Sequence, residues 1–254
     1  MATSKTSKHT IQFSEEDGVR FLHFGNQWVQ GAMRIARPYA LELAYTRDMM
    51  AAFVLTQAKG KWPKSILQVG LGAASITKFL TRNYPETAQT IVEINPAVVA
   101  MARHGFKLPV AENIEIIISD AVSYIGTCEA KFDIIFIDGF DAHARAGSLE
   151  HSPFYAQCLS RLNPNGVLSI NLFSRGRGIS AAHQALVNEC QKIGGMVITG
   201  NTIEGGNTAT FGLLAPLKLN AKTLQKRVDA LYDKTGLKLH HMVGVLGEKI
   251  FSSQ

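Results

Sequence analysis

Four acidic residues follow short apolar runs in this chain, and their spacing could place them around one ligand. Glu93 closes one run, Asp120 follows a second, and Asp138 and Asp141 stand close together after a third. A carboxylate can accept hydrogen bonds from both hydroxyl groups of a ribose, or it can take a proton from a reacting amine. Because Asp138 leaves a strongly apolar run, its charge is costly to desolvate without a partner or a purpose. We therefore predict that Asp138 is a general base.

Two of these acids also have a purely structural interpretation. Asp120 could accept a hydrogen bond from an adenine amine, with the backbone N–H of Ala121 bonded to a ring nitrogen. It could equally be the N-cap of the next helix, a position that Asp favours. Asp141 could bind a second cationic group, or it could cap its own loop. The residues alone leave both alternatives open.

A glycine turn precedes Glu93 at a suitable distance. The apolar run Ile66–Val69 ends in Gly70-Leu71-Gly72, and a helical pattern then leads to the run that Glu93 closes. This order of elements binds the ribose of a nucleoside cofactor: a strand, a glycine turn, a helix, a second strand and an acid. We therefore predict that Gly70, Gly72 and Glu93 form a nucleoside site. The alternative is an ordinary β-α-β turn without a ligand.

Alternating strands and helices are predicted to position these residues. Helices are predicted to begin near Ser75, Asn95, Ala121, Pro153 and Ile179. The predicted strands are Ile66–Val69, Thr90–Glu93, Ile114–Ile118, Asp133–Ile137 and Val167–Ile170. Ligands of such a sheet lie beyond the carboxyl ends of its strands. The glycine turn, the four acids and Asn171 are therefore expected to meet at one edge.

The fold class is α/β, a doubly wound sheet preceded by a small β-hairpin module. Residues 1–60 are assigned to that module and a linking helix over 41–55, and residues 61–254 to the catalytic domain. The hairpin is predicted to pair 19–24 with 27–30 around Gly25-Asn26. The runs at 114–118 and 133–137 are nearly continuous, which is typical of strands covered on both faces. A closing hairpin, antiparallel in part, is predicted at 196–203 and 208–214, followed by a helix that ends at Gly236.

Composition narrows the function classes. The net charge is +6, but the basic residues are dispersed, so nucleic acid is not an expected partner. Lys222, Lys226, Arg227 and Lys234 are interpreted as the solvated face of a helix. The three cysteines lie far apart and form no CxxC, which favours a reduced, cytoplasmic protein without a metal site. No apolar run reaches about 18 residues, so no membrane span is expected.

The motifs between Gln30 and Asn171 resemble those of the polyamine aminopropyltransferases, the spermidine synthase family, and most closely its short spermidine-synthase-like members. The matching motifs are Val69-Gly70-Leu71-Gly72, Val92-Glu93-Ile94-Asn95, Ser119-Asp120-Ala121, Asp138-Gly139-Phe140-Asp141 and Pro153-Phe154-Tyr155. The resemblance implies a Rossmann-like sheet of the S-adenosylmethionine-dependent methyltransferase type. It also implies transfer of an aminopropyl group from decarboxylated S-adenosylmethionine to a diamine such as putrescine, without a metal.

The resemblance assigns further roles to residues of this chain. Gln30 matches a glutamine that contacts the thioether nucleoside, and Gly70, Gly72, Glu93, Asp120 and Ala121 match the rest of that site. Asp138 matches the base, while Asp141 and Tyr45 match residues that bind the amine. The family's N-terminal hairpins often pair between two chains, so a homodimer is also implied.

Three motifs depart from the family pattern. Ala73 replaces the aspartate of the glycine loop, which holds the amine of the donor in the family. The family's Y-H-E becomes Tyr45-Thr46-Arg47, which places a positive charge where a cationic substrate is expected, and Asn95 replaces an acid. These departures keep two alternatives open: a methyltransferase that uses intact S-adenosylmethionine, and a non-catalytic adenosyl-binding protein.

Overall fold

The computed structural model describes residues 10–56, 62–140, 145–174, 180–203 and 205–251. Ten strands and nine α-helices lie in these residues. The strands are β1 Ile11–Glu16, β2 Val19–Phe24, β3 Gly31–Arg34, β4 Ser65–Val69, β5 Ala88–Glu93, β6 Ile114–Ile118, β7 Phe132–Ile137, β8 Leu162–Phe173, β9 Met196–Thr199 and β10 Asn207–Leu213. The helices are α1 Ala44–Met49, α2 Ala52–Leu55, α3 Ser75–Asn83, α4 Pro96–Gly105, α5 Ala121–Thr127, α6 Ser152–Ser160, α7 Ser180–Lys192, α8 Ala221–Thr235 and α9 His240–Phe251.

The main sheet has seven strands in the order β6-β5-β4-β7-β8-β10-β9. The pairs from β6 to β8 are parallel, and β10 runs antiparallel to both of its neighbours. This order confirms the doubly wound α/β class and the partly antiparallel closing hairpin. The strand order reverses between β4 and β7, where ligands of such sheets bind.

Helices cover both faces of the sheet, as alternate residues of β7 demonstrate. Ile134 and Phe136 pack in a core with α1, α2, α3, α8 and α9, whereas Ile135 and Ile137 pack in another with α5, α6 and α7. The prediction of a strand covered on both faces is therefore confirmed for β7. It is confirmed only in part for β6: Ile116 and Ile117 pack against cores on opposite faces, but β6 is an edge strand and its Ile118 is 50% exposed.

The N-terminal module differs from its prediction. It is a three-stranded antiparallel sheet, and its first hairpin turns at Asp17 and Gly18, which both have positive φ. The third strand begins at Gly31, so the predicted strand at 27–30 is wrong. Residues 27–30 instead belong to a loop in which the Asn26 side chain accepts a hydrogen bond from the Trp28 N–H at 2.9 Å. That local bond competes with strand pairing.

The segment after the N-terminal sheet is helical but interrupted. Instead of one helix over 41–55, α1 and α2 are separated where the Met50 N–H bonds to the Arg47 carbonyl and the Ala51 N–H to that of Asp48. These i to i−3 bonds tighten the chain into a 3₁₀-like turn. The domain boundary predicted between residues 60 and 61 lies outside the described residues and stays a prediction.

Two C-terminal features were not foreseen. Helix α9 was not predicted, although Met242, Leu246 and Ile250 recur at the spacing of a buried helical face. Arg227 on α8 does not belong to a solvated face, because its guanidinium donates to the Val54 and Thr56 carbonyls at 2.9 and 3.0 Å. No helix in the described ranges is long and apolar enough to span a bilayer.

Two polar contacts tie these parts together. The buried Lys78 ammonium on α3 donates to the Phe106 carbonyl at 2.7 Å, beneath a cluster in which Leu22 and Met33 of the N-terminal sheet contact the main sheet's loops. His241 on α9 lies 2.8 Å from the buried Asp48 carboxylate on α1. The Ser169 hydroxyl of β8 also donates a hydrogen bond to the Met49 carbonyl at the end of α1.

Candidate active site

The glycine turn after β4 forms the floor of the candidate site. Gly70 has a φ of +87°, and a Cβ at this position would lie 2.3 Å from the Asp138 carbonyl oxygen. Only glycine therefore permits β4 and β7 to end so close together. The Gly70 N–H donates to the Val92 carbonyl of β5 at 2.9 Å, which continues the pairing of β4 with β5 into the turn.

Glu93 braces the glycine turn. Its Oε2 accepts a hydrogen bond from the Leu71 N–H and its Oε1 one from the Asn95 N–H, both at 2.9 Å. The side chain is only 7% exposed, and this burial raises the pKa of the carboxyl, while the backbone hydrogen bonds oppose the rise. Each carboxylate oxygen can accept a second bond, so Glu93 can hold the turn and still receive two hydroxyl groups.

Asp138 is held by two side chains from other elements. The Tyr45 hydroxyl of α1 donates to its Oδ2 at 3.1 Å, and the Asn171 amide of β8 donates to its Oδ1 at 2.9 Å. Desolvation raises the pKa of the Asp138 carboxyl, and the two hydrogen bonds partly offset this effect. Burial and the neighbouring carboxylate raise the pKa of Tyr45 well above its ordinary value, so the phenol stays a donor. Asp138 is therefore oriented and more basic than a solvated aspartate.

A cavity of about 310 Å³ opens above the glycine turn and Asp138. Seven predicted site residues line it: Gln30, Gly70, Gly72, Glu93, Asp120, Ala121 and Asp138. The cavity is also lined by residues that were not predicted to belong to the site: Phe24, Ile94, Phe140 and the segment 145–149. Tyr45 reaches the site through Asp138. Asp141 lies outside the described residues, so its predicted role stays a prediction.

Asp120 is both a helix cap and a wall of the cavity. Its Oδ1 accepts hydrogen bonds from the Ser123 N–H at 2.8 Å and the Ser123 hydroxyl at 3.0 Å, so it is the N-cap of α5. Its position on the cavity leaves Oδ2 as the candidate acceptor for a ligand. Asn95 is the N-cap of α4, since its Oδ1 accepts from the Ala97 N–H at 3.0 Å, so the helix begins where it was predicted to begin.

The residues that depart from the family pattern do not line this cavity. Ala73 is 2% exposed and packs in the cluster with Leu22, Met33 and Phe106. The expectation that Arg47 brings positive charge to the amine site is wrong. Its guanidinium donates to the Leu41 and Glu42 carbonyls at 3.0 and 2.7 Å and faces a different cavity.

Asn171 is the site residue to which sequence analysis gave no role. It follows a buried run at the carboxyl end of β8, is 4% exposed, and contacts Asp138 directly. The signal was its position, because a polar side chain at that end of a buried strand points towards the site edge.

Sheet order and the position of the cavity define the class of protein: an α/β fold of the type shared by S-adenosylmethionine-dependent methyltransferases and spermidine synthases. A probable spermidine synthase from Corynebacterium glutamicum superimposes with a TM-score of 0.71 at 18% identity, over 86% of this chain and 83% of that chain. Human methyltransferase-like protein 13, in complex with SAH, superimposes with a TM-score of 0.64 at 24% identity, over 76% and 93%. These likenesses confirm the predicted fold.

Sequence comparison identifies the family. The spermine/spermidine synthase domain matches residues 42–196. A polyamine aminopropyltransferase of Neisseria meningitidis serogroup B is 33% identical over 96% of this chain and 91% of its own length. Another, of Chromobacterium violaceum, is 32% identical over 93% and 88%. The chain belongs to the spermine/spermidine synthase family, as its motifs predicted, and it is a transferase.

Proposed function

We propose that this protein transfers an aminopropyl group from decarboxylated S-adenosylmethionine to a diamine such as putrescine. The observation that carries the proposal is the Asp138 carboxylate, which Tyr45 and Asn171 hold at the edge of a cavity floored by the glycine turn. The names of the similar proteins, polyamine aminopropyltransferases, support the same reaction.

The reaction needs a base beside the acceptor amine. An alkylamine is protonated at pH 7 and cannot attack until it loses a proton. The neutral amine nitrogen forms a bond to the donor's methylene carbon, the bond from that carbon to sulfur breaks, and the sulfur keeps the electron pair. Methylthioadenosine leaves. The proton that the acceptor's ammonium group loses for the attack moves to Asp138, and the new secondary ammonium group keeps its own protons. The raised pKa of Asp138 suits it to accept that proton.

We assign the nucleoside of the donor to the other side of the cavity. Glu93 would accept hydrogen bonds from the ribose hydroxyls, and Asp120 with the Ala121 N–H would bind the adenine. Gly70, Gly72 and Gln30 would contact the thioether portion. We assign the far amine of the acceptor to Asp141 and retain Tyr45 as a residue that orients the acceptor through Asp138.

One observation favours the second candidate, a methyltransferase that uses intact S-adenosylmethionine. Ala73 is neutral and buried away from the cavity, so it supplies no carboxylate for the donor's amine. The structure of methyltransferase-like protein 13 in complex with SAH has the same fold. Choice of donor is therefore a necessary part of the experiment.

The experiment is an assay for methylthioadenosine with decarboxylated S-adenosylmethionine and several diamines, run in parallel with intact S-adenosylmethionine. We expect methylthioadenosine from the decarboxylated donor, and a loss of at least about 100-fold in kcat for Asp138→Asn, because the base is removed. Asp233→Asn is the matched control, since Asp233 is exposed on α8 and does not line the active-site cavity. Absence of methylthioadenosine with every diamine refutes aminopropyl transfer. Methylation products from the intact donor would support the second candidate.

We further propose that the protein is a cytoplasmic homodimer with the two domains 1–60 and 61–254. The described cysteines carry free thiols, which suits a reducing compartment. Strand β1 is an edge strand of the N-terminal sheet and exposes 45% of Phe13, a surface on which a second copy could pack. Sedimentation equilibrium measures the oligomeric state directly.

A further inference from the structure

A second, larger cavity of about 1060 Å³ lies apart from the candidate active site. The two cavities share no lining residue. Its walls come from the end of β3 and the loop after it, from α1, from the end of α3 and from the end of α8. We call it the basic cavity after its six basic lining residues, Arg34, Arg37, Arg47, Arg82, Lys234 and Lys238.

Positive charge in the basic cavity greatly exceeds negative charge. Glu42 is the one acidic residue among the described lining residues, and it is already paired with Arg34, whose Nε donates to it at 3.1 Å. Because Glu42 is paired with Arg34, no carboxylate among the described lining residues remains to neutralise the other five basic residues. Six of the chain's 26 basic residues thus line one cavity, while the other basic residues lie elsewhere along the chain.

Several of these charges are held in place by the fold. Arg47 is anchored by the Leu41 and Glu42 carbonyls. The Lys234 ammonium lies over the rings of Trp62 and Tyr84, at 5.8 and 5.1 Å from their centroids. Anchored charges lose less conformational entropy on binding than flexible surface lysines do. The basic cavity is thus partly preorganised.

The remaining basic side chains converge from different parts of the chain. Arg37, Arg82 and Lys238 are exposed. Arg37 follows β3, Arg82 lies in the last turn of α3, and Lys238 follows α8. Like charges around one concave surface repel each other, and an anion between them relieves that repulsion. Planar guanidinium groups match the oxygens of phosphate in paired hydrogen bonds. A cavity of this size fits a short chain of phosphates.

We propose that the basic cavity binds a small anion that carries two or more phosphate groups, either as free polyphosphate or as the polyphosphate chain of a nucleotide. This proposal goes beyond the proposed function and does not depend on it, because the active-site cavity contributes none of the residues. The ligand's phosphates would lie between Arg37, Arg82 and Lys238, with Arg47 and Lys234 beneath.

Titration calorimetry with inorganic tripolyphosphate at about 0.15 M ionic strength tests the proposal, since salt of that strength suppresses nonspecific attraction. We expect saturable binding by the unchanged protein with a Kd below about 1 mM. The double variant R37A/R82A should bind at least about tenfold more weakly, because each lost contact is a charge-assisted hydrogen bond. Both side chains are exposed, so the fold should persist, which circular dichroism checks.

The matched control is K222A/K226A, which removes the same charge from exposed positions of α8 outside the cavity. The control should bind tripolyphosphate as the unchanged protein does. An equal loss in both double variants, or no saturable binding at all, overturns the proposal. ATP is titrated in the presence of adenosine, added to occupy the active-site cavity. If R37A/R82A weakens ATP binding, the phosphates of the ligand can come from a nucleotide. ATP binding that is as strong in R37A/R82A as in the unchanged protein counts against a phosphate site. Citrate binding as strong as that of tripolyphosphate also counts against it.

Discussion

Asp138 receives hydrogen bonds from two donors that differ in chemistry. The Asn171 amide is neutral and cannot release its proton, whereas the Tyr45 phenol is a stronger donor whose raised pKa keeps it protonated. Both donors lower the pKa of Asp138 against the effect of desolvation. Together they set how readily the carboxylate accepts a proton.

Replacing Tyr45 with phenylalanine removes the donor at Oδ2 while keeping the ring. Asp138 then loses a bond that stabilises its charged form, so its pKa rises and the acid limb of kcat/KM moves to higher pH. We also expect a loss of about tenfold in kcat/KM, the size of one hydrogen bond to a charged group. The pH profile of methylthioadenosine formation measures both effects. Tyr232→Phe on α8 is the control, and an unmoved acid limb in Tyr45→Phe would contradict the assignment.

At the scale of single residues, position along a strand was predictable from the sequence, and side-chain direction was not. Glu93, Asp120 and Asp138 were found because each closes or follows an apolar run, and the topology brings the ends of the strands together. Arg47 was misplaced because its direction depends on two carbonyls in the preceding turn, a tertiary detail that no spacing encodes. Asp120 proved to be a helix cap on the cavity wall, so the two interpretations were compatible.

The element that determines the site most directly is the turn between β4 and α3. It brings the end of β4 against the end of β7, and Glu93 at the end of β5 braces it. Three strands therefore meet at one short loop.

Gly70→Ala tests this close approach. Gly18 is a matched control because its φ of +74° is similarly positive, yet a Cβ there meets nothing within 4 Å. Gly18→Ala should destabilise by about 1–2 kcal/mol, the backbone cost of the left-handed region. Gly70→Ala should cost about 3 kcal/mol or more, because the new Cβ also collides with the Asp138 carbonyl. Urea unfolding measures both, and equal losses would show that the ends of β4 and β7 are not in contact.

At the scale of elements, strongly periodic segments were predictable and irregular ones were not. The β-α-β order from β4 to β8 follows from apolar runs and caps alone. The Asn26 side chain stabilises a turn before β3. The strand therefore starts at residue 31, four residues after the predicted start at residue 27. Helix α9 could have been predicted from the spacing of Met242, Leu246 and Ile250.

In the whole molecule, the two sheets meet at a small apolar cluster with the buried Lys78 side chain beneath it. Lys78 is 1% exposed and bonds to the Phe106 carbonyl. Burial, reinforced by the charge of Lys107, lowers the pKa of Lys78 from 10.5 to about 7. Folding therefore favours the neutral amine at this junction.

This pKa makes stability depend on pH in a definite direction. Between pH 10.5 and about 7 the unfolded chain binds a proton that the folded chain does not, so stability falls as the pH falls, by at most about 1.4 kcal/mol per unit. Lys78→Met removes this dependence but leaves the Phe106 carbonyl without its donor. We expect the variant to be less stable at pH 10 and to approach or exceed the unchanged protein at pH 7.

Urea unfolding of Lys78→Met and of the unchanged protein from pH 7 to pH 10 measures the difference in their free energies of unfolding. The titration of all other groups is the same in the two proteins and cancels from this difference. Lys222→Met is the control, since Lys222 is exposed on α8. A stability difference between Lys78→Met and the unchanged protein that stays constant across this range would refute the depressed pKa.

The contact between His241 and Asp48 changes how deletions should be interpreted. Helix α9 holds α1 through this contact, and α1 carries the tyrosine that orients the candidate base. A shortened protein that lacks α9 would lose activity through displacement of α1, without any contact between α9 and a substrate. Deletion of α9 would therefore suggest that the active site extends to α9 when it does not. Point substitutions at His241 would separate the effect on α1 from a direct role in the active site.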